Sequence, residues 1–245
     1  LTRHRVEKID PDDKKLIVKN LATDEEFEDA YDRLIIATGG KAIIPPIDGM
    51  DSEGVFVLRF LSDTDEIMDF VQKRSPKKAV IIGGGYIGLE VSENLVALGM
   101  EVTIVEARDR IGGAAYGHEV ADKIRDHIEE KGVRVCVGEE VETLLEDREG
   151  YVRAACFGER EIEAEIVIVA TGARPESKLA EEAGAKIGTF GAIRVDKHVK
   201  TSLPEVWAAG DCATSTNLIT DEPGWEPLGD TANQMGRVAG TNAAR

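Results

Sequence analysis

The clearest pattern in the chain is a short apolar run that leads directly into glycines and then into a helical spacing of apolar residues. Residues 79–82 read Ala-Val-Ile-Ile and are followed by Gly83-Gly-Gly85. A run of this length is typical of a buried strand, and apolar residues three and four positions apart predict a helix with one packed face. Tyr86 is predicted to begin that helix, and Gly99 to end it. The predicted packed face consists of Ile87, Val91, Leu95 and Leu98.

The same segment carries three glycines, Gly83, Gly85 and Gly88, at the spacing G-x-G-x-x-G. Such glycines permit a tight turn, close approach of the backbone to a pyrophosphate, and close packing of helix on strand. The pyrophosphate would meet the free N–H groups and the positive end of the helix. Because a strand precedes the glycines, and a helix and a second strand (101–105) follow them, we predict a dinucleotide site rather than an ordinary glycine turn.

An acidic residue, Glu106, ends the second strand and lies eighteen residues beyond Gly88. A carboxylate at this position accepts hydrogen bonds from the adenosine ribose and repels a 2′-phosphate, so NADH is predicted over NADPH. Arg108 and Arg110 keep NADPH open, because arginines just beyond this strand can bind a 2′-phosphate. The alternative for Glu106 is a solvated acid at a strand end.

The remaining pattern predicts strands and helices on both sides of this segment. Before it we predict strands at 14–19 and 31–38, a helix from Ser62 to about Lys73, and a linker at 74–78. After it we predict a helix at 118–131, strands at 133–137, 140–146, 151–157, 162–169, 193–195 and 206–209, and a final helix that follows Pro227. Two of these strands end in Ala-Thr-Gly, at 37–39 and 170–172, which favours two related nucleotide-binding units.

Net charge, apolar runs and cysteine spacing limit which partners and which cellular compartment the chain is expected to have. The 245 residues include 30 basic and 47 acidic ones, and the net charge of −17 argues against nucleic acids and anionic membrane surfaces as partners. No apolar run reaches the length of a membrane span, and no signal peptide opens the chain. Cys136, Cys156 and Cys212 have no metal-ligand spacing, so we expect free, buried thiols in a reducing cytoplasm, and no metal site.

Five motifs occur in order and together carry a resemblance to a known family. They are the two Ala-Thr-Gly strand ends, Gly-Gly-Gly-Tyr-Ile-Gly-Leu-Glu at 83–90, Ala-Ala-Gly-Asp at 208–211, and Pro-Leu-Gly-x-x-Ala-Asn-x-x-Gly-Arg at 227–237. With these motifs the chain resembles the FAD-dependent pyridine nucleotide–disulfide oxidoreductases. It is most similar to the branch that contains coenzyme A-disulfide reductase, NADH oxidase and NADH peroxidase.

The resemblance implies an α/β fold in which a Rossmann-like NAD(P)-binding domain, 75–185, is inserted into an FAD-binding domain. Residues 1–74 would form the C-terminal part of the first FAD-domain half, and residues 186–245 the returning segment. The implied activity passes a hydride from NADH to FAD, and electrons onward to a disulfide or thiol centre, oxygen or peroxide, in a homodimer. The alternatives are a ferredoxin or rubredoxin reductase of the same fold and, for this chain alone, a non-catalytic NAD-binding module.

The chain departs from the family pattern in one respect. The family opens with a strand–glycine loop–helix unit for the ADP half of FAD and a redox-active cysteine, and neither precedes Ile36 here. A dimerisation domain of the kind the family carries at its C-terminal end is also not among the 245 residues. We therefore expect a central fragment of a larger flavoprotein, inactive by itself.

The resemblance also assigns residues to the cofactors. Tyr86 would cover the flavin and swing aside for nicotinamide, and Glu90 would lie near the nicotinamide; the alternatives are a surface aromatic and an acid facing the helix dipole. The other residues assigned to NAD are Gly83, Gly85, Ile87, Gly88, Glu106, Tyr116 and Gly172. Those assigned to FAD are Ala37, Thr38, Gly39, Arg59, Gly210, Asp211, Leu228, Gly229 and Asp230. For Asp211 the alternative is a capping or turn aspartate. A redox role for neighbouring Cys212 is disfavoured because nothing near it in sequence would activate the thiol.

Overall fold

A computed structural model describes residues 1–113, 116–217 and 219–245. The chain divides into two compact units: residues 42–172 form a central unit, and residues 1–41 together with 173–245 form a split unit. The strands are β1 (His4–Asp10), β2 (Lys15–Asn20), β3 (Glu26–Ala30), β4 (Leu34–Ile36), β5 (Gly40–Ala42), β6 (Val55–Val57), β7 (Lys78–Ile82), β8 (Glu101–Glu106), β9 (Val133–Val137), β10 (Thr143–Glu146), β11 (Val152–Phe157), β12 (Arg160–Glu163), β13 (Ile166–Val169), β14 (Ala173–Pro175), β15 (Val206–Ala208), β16 (Ser215–Thr216) and β17 (Pro223–Gly224). The helices are α1 (Leu61–Arg74), α2 (Tyr86–Ala97), α3 (His118–Glu130), α4 (Lys178–Glu182) and α5 (Gly229–Ala243).

A five-stranded parallel sheet forms the middle of the central unit, in the order β6-β13-β7-β8-β9. Successive side chains of β7 point to opposite faces of this sheet. Ala79 and Ile81 belong to an apolar cluster that includes Leu95 of α2. Val80 and Ile82 belong to a second cluster that includes residues of the antiparallel meander β10-β11-β12. The strand is buried on both faces, which explains why it reads as a continuous apolar run.

The predicted packed face of α2 is wrong in part. Leu95 is buried, as predicted, but Ile87 is exposed and Leu98 is 48% exposed. The buried residues of α2 are Gly88, Ser92 and Leu95, and Val91 packs against the same apolar cluster, as predicted. A Cβ atom on Gly88 would overlap the carbonyl oxygen of Gly83, so the helix presents its smallest residue at its closest approach to the glycine turn.

The split unit combines small sheets with two helices. Strands β1, β2 and β3 form an antiparallel sheet, whereas β4 and β15 pair in parallel with Ile36 opposite Ala208. Helix α5 packs against both β4 and β15. The core of this unit includes the buried residues Ile9, Ile36, Ile193, Val206 and Cys212.

Several predicted limits differ from the structure. The strand predicted at 31–38 is only β4, and 193–195 is not a strand, because Ile193 makes isolated bridges to Ile187 and Ala213. The strand predicted at 162–169 is divided into β12, in the meander, and β13, in the parallel sheet. The structural boundaries at 41/42 and 172/173 also differ from the expected 74/75 and 185/186, because β6 extends the central sheet beside β13 and α1 packs on β6. In the part of the chain that the structure describes, no helix is long and apolar enough to cross a membrane.

Candidate functional site: a nucleotide-binding cleft

A cleft of about 400 Å³ opens in the central unit where the parallel strands β7, β8 and β13 end. Ligands of open parallel α/β sheets bind beyond the carboxyl ends of their strands. The cleft is lined by residues that follow each strand: Gly83 and Gly85 after β7, Glu106 to Arg108 at the end of β8, and Ala170 to Gly172 after β13. Segments predicted separately from the sequence therefore meet around one cleft.

The three glycines of the loop after β7 have different surroundings. Gly83 has a φ of 108°, which only glycine adopts readily, and a Cβ atom there would overlap the carbonyl group of Ala170. Gly88 is required by its contact with Gly83. Gly85 differs from both, because it has an ordinary backbone conformation and no atom within 4 Å of its Cβ position. Gly83 and Gly88 are thus needed for the fold of the loop, whereas Gly85 leaves room for a ligand.

Helix α2 begins at the cleft with Gly85 as its N-cap. No side chain in the described structure caps this helix start, and its first turn contains no acidic residue. The first N–H groups of a helix have no partners within the helix, and together with the helix dipole they favour an anion. Glu90 lies beyond the first turn on an exposed position. This geometry fits a pyrophosphate at Gly85.

Glu106 is the acidic residue of the cleft and is only 9% exposed. One carboxylate oxygen accepts a hydrogen bond from the backbone N–H of Gly84 at 2.7 Å, and the other accepts from the N–H of Arg108 at 2.8 Å. A carboxylate has about four acceptor positions, so it retains capacity for ribose hydroxyls. The alternative of a solvated acid does not hold, because the side chain is buried.

The two arginines beyond β8 differ in their surroundings. Arg108 lines the cleft. The Arg110 guanidinium instead lies 2.8 Å from a carboxylate oxygen of Asp109 and 3.3 Å from Nε2 of His118. The hydrogen bond from His118, with a smaller effect of Arg110, holds the pKa of Asp109 below its ordinary value. Of the two arginines, Arg108 is therefore the one placed to meet an adenosine 2′-phosphate.

Two aromatic rings assigned to the NAD side are in contact, which the sequence did not predict. The Tyr86 and Tyr116 rings meet edge to face with their centroids 5.8 Å apart, and Tyr86 is 46% exposed. Gly112 permits this arrangement, because its φ is 77° and a Cβ atom there would overlap the Tyr116 ring. In the sequence, the adjacent glycines Gly112 and Gly113 were the feature that could have indicated this unusual backbone conformation.

The remaining NAD-side residues lie on two elements of the central unit. Ile87 is exposed in the first turn of α2. Gly172, with a φ of 113°, lines the cleft, and its carbonyl oxygen accepts a hydrogen bond from Ile43 N–H at 2.9 Å. The neighbouring Thr171 hydroxyl donates to the Ile43 carbonyl oxygen at 2.8 Å. Two hydrogen bonds thus join the strand end Ala-Thr-Gly at 170–172 to Ile43, and the same three residues line the cleft.

In the split unit, most residues assigned to FAD follow a pair of parallel strands. Ala37, Thr38 and Gly39 follow β4, and Gly210 and Asp211 follow β15, so both segments lie at the same edge. Gly210 has a φ of 81°, and its Cβ position lies 3.5 Å from Ala232, in the first turns of α5.

The start of α5 lies near this strand edge. Leu228 is the N-cap of α5, without a side-chain cap in the described structure, and the Asp230 carboxylate accepts from Thr231 N–H at 2.8 Å. Gly229 is exposed at the first position of the helix. The split unit therefore brings two of the three segments to one strand edge, with Gly210 close to the first turn of α5, a helix whose start has no side-chain cap in the described residues. Arg59 belongs to the central unit, where its backbone N–H donates to the Asp63 carboxylate at 2.7 Å.

The cysteines are free thiols. Cys136 and Cys212 are buried in apolar clusters, as predicted, and Cys212 Sγ lies 3.3 Å from the Ala209 carbonyl oxygen. Cys156 is partly buried, and burial, with a smaller effect of Glu161, raises the pKa of its thiol. A raised pKa is the opposite of what an activated thiol needs.

Comparison with known proteins places this architecture in one family. Residues 1–236 match the family model described as pyridine nucleotide-disulphide oxidoreductase. An NADH oxidase from Methanocaldococcus jannaschii is 35% identical over 237 residues, which cover 96% of this chain and 52% of that protein. The chain therefore belongs to the pyridine nucleotide-disulphide oxidoreductase family, whose members are FAD-containing oxidoreductases that depend on NADH or NADPH.

Solved structures agree with this assignment. An NAD-dependent persulfide reductase from A. fulgidus has a TM-score of 0.93 and 40% identity, covering 99% of this chain and 44% of that one. An FAD-dependent pyridine nucleotide-disulphide oxidoreductase from Desulfovibrio vulgaris has a TM-score of 0.88 and 38% identity, covering 99% of this chain and 61% of that one. The fold is thus that of a flavoprotein with two dinucleotide-binding domains. The chain spans about half the length of the curated relative it matches.

Proposed function

We propose that the central unit binds NADH, and that the protein transfers a hydride from NADH to FAD and passes the electrons to a disulfide or thiol centre, oxygen or peroxide. The uncapped start of α2 at Gly85, open to a cleft beside the buried carboxylate of Glu106, carries the NADH part of this proposal. It supplies donors for a pyrophosphate and an acceptor for ribose hydroxyls. In this arrangement Ile87, Tyr116 and Gly172 contact NAD, and Tyr86 and Glu90 lie on the nicotinamide side.

FAD would be held by the split unit through the segments 37–39, 210–211 and 228–230, with Arg59 as a further contact. The flavin supplies the redox chemistry when bound. The chain's residues bind and orient it: Asp211 would accept hydrogen bonds from hydroxyl groups, and the N–H groups at the start of α5 would favour negative charge on the pyrimidine end. Family membership supports this assignment, since the family's members contain FAD.

The electron acceptor is proposed to be a small molecule. The M. jannaschii relative is an NADH oxidase, and the A. fulgidus relative is a persulfide reductase, so oxygen and sulfur acceptors are both represented. We further propose a homodimer in the cytoplasm, where the free thiols would remain reduced. Analytical ultracentrifugation would test the dimer.

Anaerobic addition of NADH to a flavin-loaded, full-length protein that contains these 245 residues tests the hydride transfer. The expected result is loss of the oxidised-flavin absorbance, followed by its return when oxygen, hydrogen peroxide or coenzyme A disulfide is added separately. The acceptor that restores the absorbance fastest identifies the branch. Flavin that remains oxidised with excess NADH would contradict the proposed function.

A further inference from the structure

The peptide groups around Gly84 are hydrogen-bonded on both sides, to the last residue of β8 and to the segment that follows it. Gly84 N–H donates to one oxygen of Glu106 at 2.7 Å, and the Gly84 carbonyl oxygen accepts from Gly112 N–H at 2.7 Å. The second oxygen of Glu106 accepts from Arg108 N–H at 2.8 Å. One buried carboxylate therefore joins the glycine loop to the chain beyond β8.

These contacts determine where the N–H of Gly85 points. In a trans peptide the carbonyl oxygen of one residue and the N–H of the next lie on opposite sides. Holding the Gly84 carbonyl oxygen toward Gly112 therefore directs Gly85 N–H away from Gly112.

We propose that Glu106 is a positioning residue for the pyrophosphate, acting through the Gly84 backbone in addition to any contact with ribose hydroxyls. This inference rests on the proposed function of the cleft. Both carboxylate oxygens face N–H donors, so two acceptors are required at this position. Glutamine offers one acceptor and one NH₂ group, and its NH₂ would meet a backbone N–H.

Two ligands separate this role from ribose binding: NADH, and an NADH analogue that lacks both hydroxyls of the adenosine ribose. Glu106→Gln is expected to weaken the analogue about tenfold, because loop positioning does not depend on the hydroxyls, and to weaken NADH by at least the same factor. The matched control is Glu101→Gln, an exposed residue at the start of the same strand, which should leave both affinities unchanged. The proposal is overturned if Glu106→Gln weakens NADH but binds the analogue as the wild type does.

Failure of the proposed function would look different, because the wild-type chain would then not bind NADH at all. In that case, or if Glu106→Gln loses its helical circular dichroism, amide hydrogen exchange of the ligand-free wild-type chain decides. Exchange at Gly84 that is much slower than at Gly85 supports the positioning of the Gly84 backbone by Glu106. Equal rates at the two amides overturn it.

Discussion

The central and split units use the same chemistry at their strand ends but assemble it differently. In both units, strands end at glycines with positive φ: Gly83 and Gly172 in the central unit, Gly39 and Gly210 in the split unit. In the central unit β7, the glycine loop and α2 are continuous in sequence and lie on a five-stranded parallel sheet. In the split unit the corresponding segments come from three distant parts of the chain, around one parallel pair, β4 and β15.

This difference has a consequence for binding. The shape of the central loop is dictated by close contacts within it, so the anion site at Gly85 is organised before a ligand arrives. Preorganised donors bind more tightly because less ordering is required on binding. The central unit should therefore bind its dinucleotide independently, whereas flavin binding by the split unit depends on three segments being held together.

The largest expected effect concerns FAD. The 245 residues contain one segment with G-x-G-x-x-G spacing, and it lies in the central unit. Without such a loop, the FAD pyrophosphate loses several charge-assisted hydrogen bonds, each worth about 1.5–3 kcal/mol. We expect the purified 245-residue chain to be colourless and unable to oxidise NADH. Absorbance would measure any bound flavin. Yellow flavin bound at one per chain would contradict this prediction, because it would show that the split unit, like the central unit, binds its dinucleotide without further segments.

The second largest effect is expected for the substitution Gly88→Ala. The added Cβ would overlap the Gly83 carbonyl oxygen and force α2 away from the sheet, so we expect a loss of about 3 kcal/mol in the free energy of unfolding. Denaturant unfolding measures it. Gly85→Ala is the matched control, since its Cβ position is open, and should change stability by no more than about 0.5 kcal/mol. Equal effects of the two substitutions would refute the steric account of the loop.

Gly85→Val tests binding rather than folding. The branched side chain would occupy the space of the pyrophosphate, so NADH affinity should fall at least about a hundredfold, or about 2.7 kcal/mol. Circular dichroism should be unchanged. Gly117→Val serves as control, because Gly117 is also an open N-cap glycine, at the start of α3. Normal NADH binding by folded Gly85→Val would mean that the loop is only a turn.

Preference for NADH over NADPH should be smaller, at least about tenfold, or about 1.4 kcal/mol. The negative charge of Glu106 disfavours a 2′-phosphate, while Arg108 in the cleft limits the preference. Parallel titrations measure both affinities. Arg108→Ala should weaken NADPH further, and Arg110→Ala should not, because Arg110 is held by Asp109 and His118. Tighter binding of NADPH than of NADH would contradict the assignment of Glu106.

The smallest effect is electrostatic and far from the cleft. The Lys78 ammonium, by hydrogen bond and by charge, holds the pKa of Glu163 below its ordinary value. A carboxyl group with a lowered pKa contributes stability above its unfolded pKa and loses it as pH falls through the folded value. Glu163→Gln should therefore lower the thermal midpoint slightly at neutral pH, and the difference from wild type should vanish well below about pH 4. A difference that persists in acid would point to packing instead.

Local patterns predicted more of the central unit than of the split unit. The strand β7, the loop glycines and Glu106 follow from residues close together in sequence, so their arrangement could be predicted. The contact of Tyr116 with Tyr86 depends on the backbone at Gly112, and the double use of the Glu106 carboxylate depends on the Gly84 peptide. Neither contact produces a periodic pattern of residues in the sequence, so neither could be predicted from it. Strand β3, whose residues are all exposed, was missed because its acidic composition is typical of a turn.

Amide chemical-shift mapping of the wild-type chain during titration with NADH tests the central claim most directly. We expect saturable binding at one NADH per chain, with the largest shifts at residues 83–88, 106–108 and 170–172. Residues 1–41 and 173–245 should show much smaller changes. Absence of binding, or shifts concentrated in the split unit, would contradict the assignment of the dinucleotide site to the central unit.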